Sequence, residues 1–287
     1  MPNVFTGNVQ GLSAIATGTP AAFCREVTGG TFSIDRHNIA KPGIGGQRHK
    51  RGGTVEATLD WTCLGPAKED TALWFPTTNG VQVAAFPDFL VETDDGANGQ
   101  EWVVSAGQPG TVSIALGDGE DAEVEYTFSA KFALVTPAAA GTAVPVYNSV
   151  KGHTHNDIGV TVVAATDEGV LSFALSNDLG LDIFNPATTK SPDTKAFPDG
   201  YVYSQQAVKL DLVTSQPLCS TILDDLLTDV EIAIAMANGT AGENITITGA
   251  TMSPDTWSMP VSVGGKVGFA TSYSPGDGTQ YGQILFT

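Results

Sequence analysis

The stretch Thr54–Cys63, TVEATLDWTC, decides the fold class. Val55, Ala57, Leu59, Trp61 and Cys63 alternate with Thr54, Glu56, Thr58, Asp60 and Thr62. A period of two sustained over a whole segment predicts a half-buried β-strand, apolar on one face and wet on the other. Just upstream, Thr31–Asp35 (TFSID) predicts a second strand. Between the two lies a Gly-rich insert holding Arg36, Lys41, Arg48, Lys50 and Arg51, a large share of the 13 Lys and Arg residues in the chain. It is expected to be a long loop, and loops of that length in compact domains usually serve a function.

Downstream, Pro66–Phe75 (PAKEDTALWF) predicts a short helix with acids in its first turn, where the helix dipole favours them. Strands are expected at Val81–Phe86, Trp102–Ser105, Thr111–Leu116 and Glu123–Phe132. The last repeats the alternation, with Val124, Tyr126, Phe128, Ala130 and Phe132 on one face and Glu123, Glu125, Thr127, Ser129 and Lys131 on the other. The uncharged Thr136–Pro145, TPAAAGTAVP, has the composition of a linker.

Beyond it the same order returns. Strands are expected at Leu171–Ser176, Val202–Val213, Val230–Met236, Asn244–Gly249, Trp257–Val261 and Lys266–Ser272. A long loop follows the first, and a helix over Gln216–Leu227 follows the second. That helix carries Ser215 as its cap and Pro217 in its first turn. Leu218, Ile222 and Leu226 form its apolar stripe. WVVSAGQPGTVSIAL in the first half stands opposite ITITGATMSPDTWSMPV in the second. The pattern argues for duplication. The expected fold is all-β with minor helix: two tandem β-sandwiches, each with a flanking helix and a long loop between early strands. The division is 1–137, a linker at 138–145, and 146–287.

Composition narrows the function classes. The 287 residues are 41% hydrophobic and only 15% charged, with 33 Gly, a turn-rich β composition. A formal net charge of −18 repels nucleic acid and discourages loose self-association. The 3 cysteines, Cys24, Cys63 and Cys219, include no CxxC pair and are expected to be reduced core thiols. No signal peptide and no apolar membrane span are expected. The sequons at Asn238 and Asn244 are then chance matches.

GGTFSIDRHNIAK…GGTVEATLDWTCLGPAKEDTALW, a strand, a polar insert, an amphipathic strand and a short helix, resembles the tail tube proteins of long-tailed bacteriophages. The resemblance covers each half at the level of layout. It implies a structural virion protein whose rings stack into the tail tube, an acidic conduit for DNA, assembled in the host cytoplasm. A two-domain chain of this family implies trimeric rings. Its partners would be itself, other tail proteins at the tube ends, and DNA and the tape-measure protein passing through the lumen without specific binding. No membrane and no cofactor is implied. The insert would then bind the neighbouring ring through Arg36, Lys41, Arg48, Lys50 and Arg51, with Lys190 and Lys195 in the second long loop. Glu56, Asp60, Glu123 and Glu125 are the lumen-facing candidates. The alternative is a β-sandwich module for carbohydrate or receptor, on a virion or secreted, with Trp102, Trp257, Tyr201 and Tyr203 as its platform.

Signals for chemistry are weak, so no enzyme is expected. His153, His155 and Asp157 in HTHND would share one face of a strand and offer a metal three ligands. A polar strand entrance with solvated histidines is the preferred reading, and no metal site is expected. Asp94, Asp95, Asp118, Glu120 and Asp121 lie in acidic Gly-rich turns without the spacing of a calcium loop. GIGGQRHKRGG lacks the Lys-Ser/Thr ending of a phosphate loop and opens into a strand.

Overall fold

The computed structural model describes residues 5–15, 20–42, 48–75, 86–94, 99–117, 122–138, 148–162, 165–167, 169–184, 200–204, 206–215, 229–258, 268–275 and 284–287. Among the described residues the protein is mostly β, with 75% in strands and one short helix.

The first half contains β1 (Phe5–Ile15), β2 (Ala21–Ala22), β3 (Cys24–Pro42), β4 (Arg48–Pro66), α1 (Lys68–Thr71), β5 (Asp88–Asp94), β6 (Gly99–Leu116) and β7 (Glu125–Pro137). Each strand pairs with the next around a ring in the order β1-β3-β4-β7-β6-β5 and back to β1, all antiparallel. The result is a closed six-stranded barrel where a β-sandwich was expected. β5 closes it. Its sequence DFLVETD buries Phe89, Leu90, Val91 and Thr93, so it shows no clean alternation.

The inward residues of β4 and β7 are those of the sequence pattern: Ala57, Leu59, Trp61 and Cys63 face Tyr126, Phe128, Ala130 and Phe132. Trp61 stacks on Phe128 with ring centroids 5.2 Å apart, and Phe23 meets both rings edge-on. After α1, the 3₁₀ turn Ala72–Trp74 sends Trp74 into the same cluster. Its indole N–H donates to Ser129 O at 3.0 Å. This bond spares the buried indole the cost of an unmade hydrogen bond, about 1–3 kcal/mol.

The second half contains β8 (Ile158–Val162), β9 (Ala165–Asp167), β10 (Val170–Asp178), β11 (Leu181–Phe184), β12 (Gly200–Tyr203), β13 (Ala207–Thr214), β14 (Val230–Met236), β15 (Ile245–Ser258), β16 (Phe269–Pro275) and β17 (Ile284–Phe286). Its pairing order is β9-β8-β14-β15-β16-β13-β10. That is the order β2-β1-β5-β6-β7-β4-β3 of the first half, strand for strand. β16 and β17 together occupy the place of β7, pairing with successive parts of β15. One pairing differs. β1 pairs with β3, but β8 does not pair with β10, whose edge is taken instead by β6 of the first half. This junction fuses both halves into one sheet of 15 strands.

The first expected long loop is largely a β-ribbon. β3 and β4 stay paired from Arg36↔Val55 outward to Pro42↔Arg48, with a register shift between Arg36 and Asn38. In the second half, β11 and β12 form a separate two-stranded ribbon at the corresponding place. The strand expected at Val81–Phe86 lies outside the described residues except for Phe86. The helix Gln216–Leu227 and most of the linker also lie outside them.

Candidate functional site

The outward face of the shared sheet is polar, and its register can be followed strand by strand. Thr62 of β4 stands opposite Thr127 of β7, which stands opposite Ser113 of β6. Ser113 faces Ser176 of β10, and Ser176 faces Lys209 of β13. The Thr62 and Thr127 hydroxyls are 3.1 Å apart. The neighbouring row runs Glu125, Ala115, Ala174, Asp211 and Ser272. Asp211 accepts hydrogen bonds from Ser272 Oγ and from Lys209 Nζ, the latter at 2.8 Å. Burial alone would raise the Asp211 pKa, but these two partners hold it below the ordinary carboxylate value. Because the β6–β10 junction is antiparallel and in register, the two halves present one continuous band rich in hydroxyls and carboxylates.

Three of the lumen candidates fall on this face. Asp60 is half-exposed and Glu125 is exposed. Glu56 is on the same side but is buried, forming an ion pair with Lys131 at 3.1 Å. Burial and the nearby Glu56 carboxylate raise the pKa of Tyr201 on β12. The ribbon of β11 and β12 therefore lies against this end of the face, where Tyr203 Oη donates to Gln108 Oε1 at 2.8 Å. The wet face read from the alternation is covered here by another part of the same chain. Glu123 lies just before β7 and is gripped by Arg25 through both carboxylate oxygens, each at 2.6 Å.

The basic residues Arg36, Lys41, Arg48, Lys50 and Arg51 sit on the projecting ribbon of β3 and β4. Their backbones are placed, and their side chains lie outside the described residues, as do Lys190 and Lys195 entirely.

The histidine motif is not on a strand. His155–Asp157 is a 3₁₀ turn capped by Thr154, whose backbone N–H and hydroxyl both donate to Asp157 Oδ2. This removes the shared face on which a three-ligand site depended. His155 Nε2 lies 3.1 Å from Leu171 O. His153 is buried, and its Nε2 has no partner among the described residues. It lines a cavity of about 110 Å³ between the halves, together with Lys68, Tyr126 and Glu243. Burial lowers its pKa, against the opposing pull of Asp157 and Glu243. Among the described residues no group of three or more His, Cys, Asp or Glu side chains is placed to hold a metal ion.

Of the aromatic residues of the carbohydrate reading, Trp102 packs against Phe32 and Trp257 against Phe269, while Tyr203 is hydrogen-bonded to Gln108. Cys24 and Cys63 are buried free thiols, as the spacing implied. Burial, reinforced by the adjacent Cys24, pushes the Cys63 thiol well up. The Asn238 amide donates to Gly152 O and Glu243 Oε2, so its nitrogen is engaged in the fold. Cys219 and the acidic turn residues Asp95, Asp118, Glu120 and Asp121 lie outside the described residues, and of Asp94 only the backbone, at the end of β5, is described. No helix of the described residues is long and apolar enough to cross a membrane. No model of a known protein family matches the chain, and no curated protein matches it.

Proposed function

We propose that this chain is a structural protein that assembles with copies of itself into rings, and that the rings stack into a tube of the phage tail type. The observation that carries this reading is the strand-for-strand repetition of one pairing order in both halves, joined edge to edge through β6 and β10. Two tandem domains of one fold, side by side in one sheet, are a ring segment in miniature. Repeating the same front-to-back contact between chains generates a closed ring when the rotation permits.

The continuous polar face supports a lumen. Asp60, Glu125 and Asp211 repel the phosphate backbone, and Ser and Thr hydroxyls offer no cationic grip on it. The basic ribbon of β3 and β4 supports stacking, since an acidic ring needs a positive element to hold the next acidic ring. Such a tube belongs in a virion tail, built in the host cytoplasm, with DNA and a tape-measure protein as transient contents.

Negative-stain imaging and native mass spectrometry of the purified protein test this. Rings of three chains, stacking at high concentration, are expected. A chain that stays monomeric at every concentration overturns the reading.

A further inference from the structure

The contact inside the chain specifies, residue by residue, the contact between chains; this inference rests on the ring-forming reading above. In β6, one edge is shared. Gly99–Val104 pair there with β5, and Thr111–Leu116 pair with β10, while β7 takes the opposite edge. β15 is built alike. Its first part pairs with β14, and Thr256–Ser258 pair with β16. The other edge of Thr256–Ser258 pairs with no strand among the described residues.

Two markers align the halves. The register shifts between Pro109 and Val112 in β6 and between Pro254 and Thr256 in β15, so PGTVS and PDTWS carry the same bulge. Thr256, Trp257 and Ser258 thus correspond to Thr111, Val112 and Ser113. On the receiving side, Leu59 pairs with Phe32 and Leu210 with Leu175, each within a Leu-Asp pair of the outgoing strand. SID (Ser33–Asp35) therefore corresponds to SND (Ser176–Asp178). Inside the chain, Thr111, Val112 and Ser113 pair with Asp178, Asn177 and Ser176.

We infer that Thr256, Trp257 and Ser258 of one copy add as an antiparallel edge to Asp35, Ile34 and Ser33 of the next copy, displacing the start of β1. That receiving edge is occupied within the chain, because Phe5 pairs with Ile34 and Thr6 with Ser33. Among the described residues, β1 holds β3 by the short run Phe5–Asn8. The second half shows the displaced arrangement, since β8 makes no pairing to β10 where β6 has docked. Barrel closure and the junction use the same edge, so they exclude each other. The N-terminal strand is thus an internal occupant that a neighbouring copy replaces by strand addition.

Two double-cysteine variants test this. Asp35 and Thr256 are exposed, so Asp35→Cys with Thr256→Cys leaves the core untouched. With oxidised glutathione, the double variant is expected to form disulfide-linked dimers and trimers, and neither single variant should. Asn8 and Thr31 are exposed and directly paired. Asn8→Cys with Thr31→Cys is expected to lock β1 in place and abolish rings when oxidised, with full recovery on adding dithiothreitol. Two results would overturn this interface and leave the ring-forming reading standing. One is wild-type rings while the Asp35→Cys, Thr256→Cys variant forms no intermolecular disulfide. The other is oxidised locked subunits that assemble as well as wild type. Wild-type protein that never assembles ends both.

Discussion

Arg25 on β3 binds Glu123 through both carboxylate oxygens at 2.6 Å, and the same guanidinium donates to Lys151 O of the second half. Gly152, at φ +77°, lets the chain pass so close that a Cβ there would collide with Glu123 Oε1. Charge-assisted bidentate pairs of this kind contribute about 1.5–3 kcal/mol when partly buried. Arg25→Ala is expected to lower stability by that amount in urea unfolding. Gly152→Ala should cost at least as much, because it combines a strained φ with loss of the ion pair. Equal stability of both variants and wild type would show that the pair contributes nothing.

His153 sets an acid limit on the contact between the halves. Its buried ring has a pKa below the ordinary 6.5, with desolvation outweighing the carboxylates of Asp157, Glu243 and Glu123. Above that pH the ring is neutral whether folded or not. As pH falls through it, the unfolded chain takes up a proton that the folded chain resists, so stability is lost on acidification. Wild type should lose more stability between pH 7 and 5 than His153→Gln does. Parallel curves for the two would exclude this role.

Asp70 works in the opposite direction. Burial, with help from Glu69, raises its carboxyl pKa from 3.8 to about 6. Below pH 3.8 both states are protonated and nothing is lost. As pH rises, the unfolded chain ionises first, so the folded state is penalised fully above pH 6. Asp70→Asn is expected to gain about 1–2 kcal/mol at pH 7 after allowance for solvent screening, and nothing at pH 3.5. Thermal melts at the two pH values measure both.

The basic ribbon can be removed without touching the barrel. Asn38 and Gly52 are directly paired, so joining them with Asn-Gly closes a tight hairpin. The shortened chain should fold, with urea stability within about 1 kcal/mol of wild type, and should form single rings that do not stack. Long tubes from it, seen by electron microscopy, would remove stacking from the ribbon.

Reversing charge on the polar face probes the lumen. Asp60→Lys with Glu125→Lys places cations on exposed or half-exposed positions of the face that carries the Thr62–Thr127 pair. Assembled variant tubes should retain DNA at low salt and release it as salt rises, whereas wild-type tubes should retain none. Variant tubes that behave as wild type would place this face away from the channel.

What the sequence determined by itself is the set of strands with one wet and one dry face. Thr54–Cys63, the strand ending at Phe132 and Val230–Met236 all alternate because half-burial imposes a period of two, and all three are strands. The recurrence of amphipathic strands in both halves was legible for the same reason, while the second helix of the expected order lies outside the described residues. β1 was not, because Gly7 and Gly11 interrupt its apolar pattern and a bulge between Val9 and Gly11 shifts its phase. The ribbon of β3 and β4 looked like a loop because a strand pair outside the core needs no apolar face. Tertiary structure alone decided the rest. β5 closes the first barrel by pairing at once with β1 and β6, a contact between segments distant along the chain. The burial of Glu56 depends on Lys131 and on the ribbon bearing Tyr201, neither of them its neighbour in sequence. Whether β10 pairs with β8 or β6 is a competition for one set of backbone N–H and C=O groups, and no local pattern records its winner.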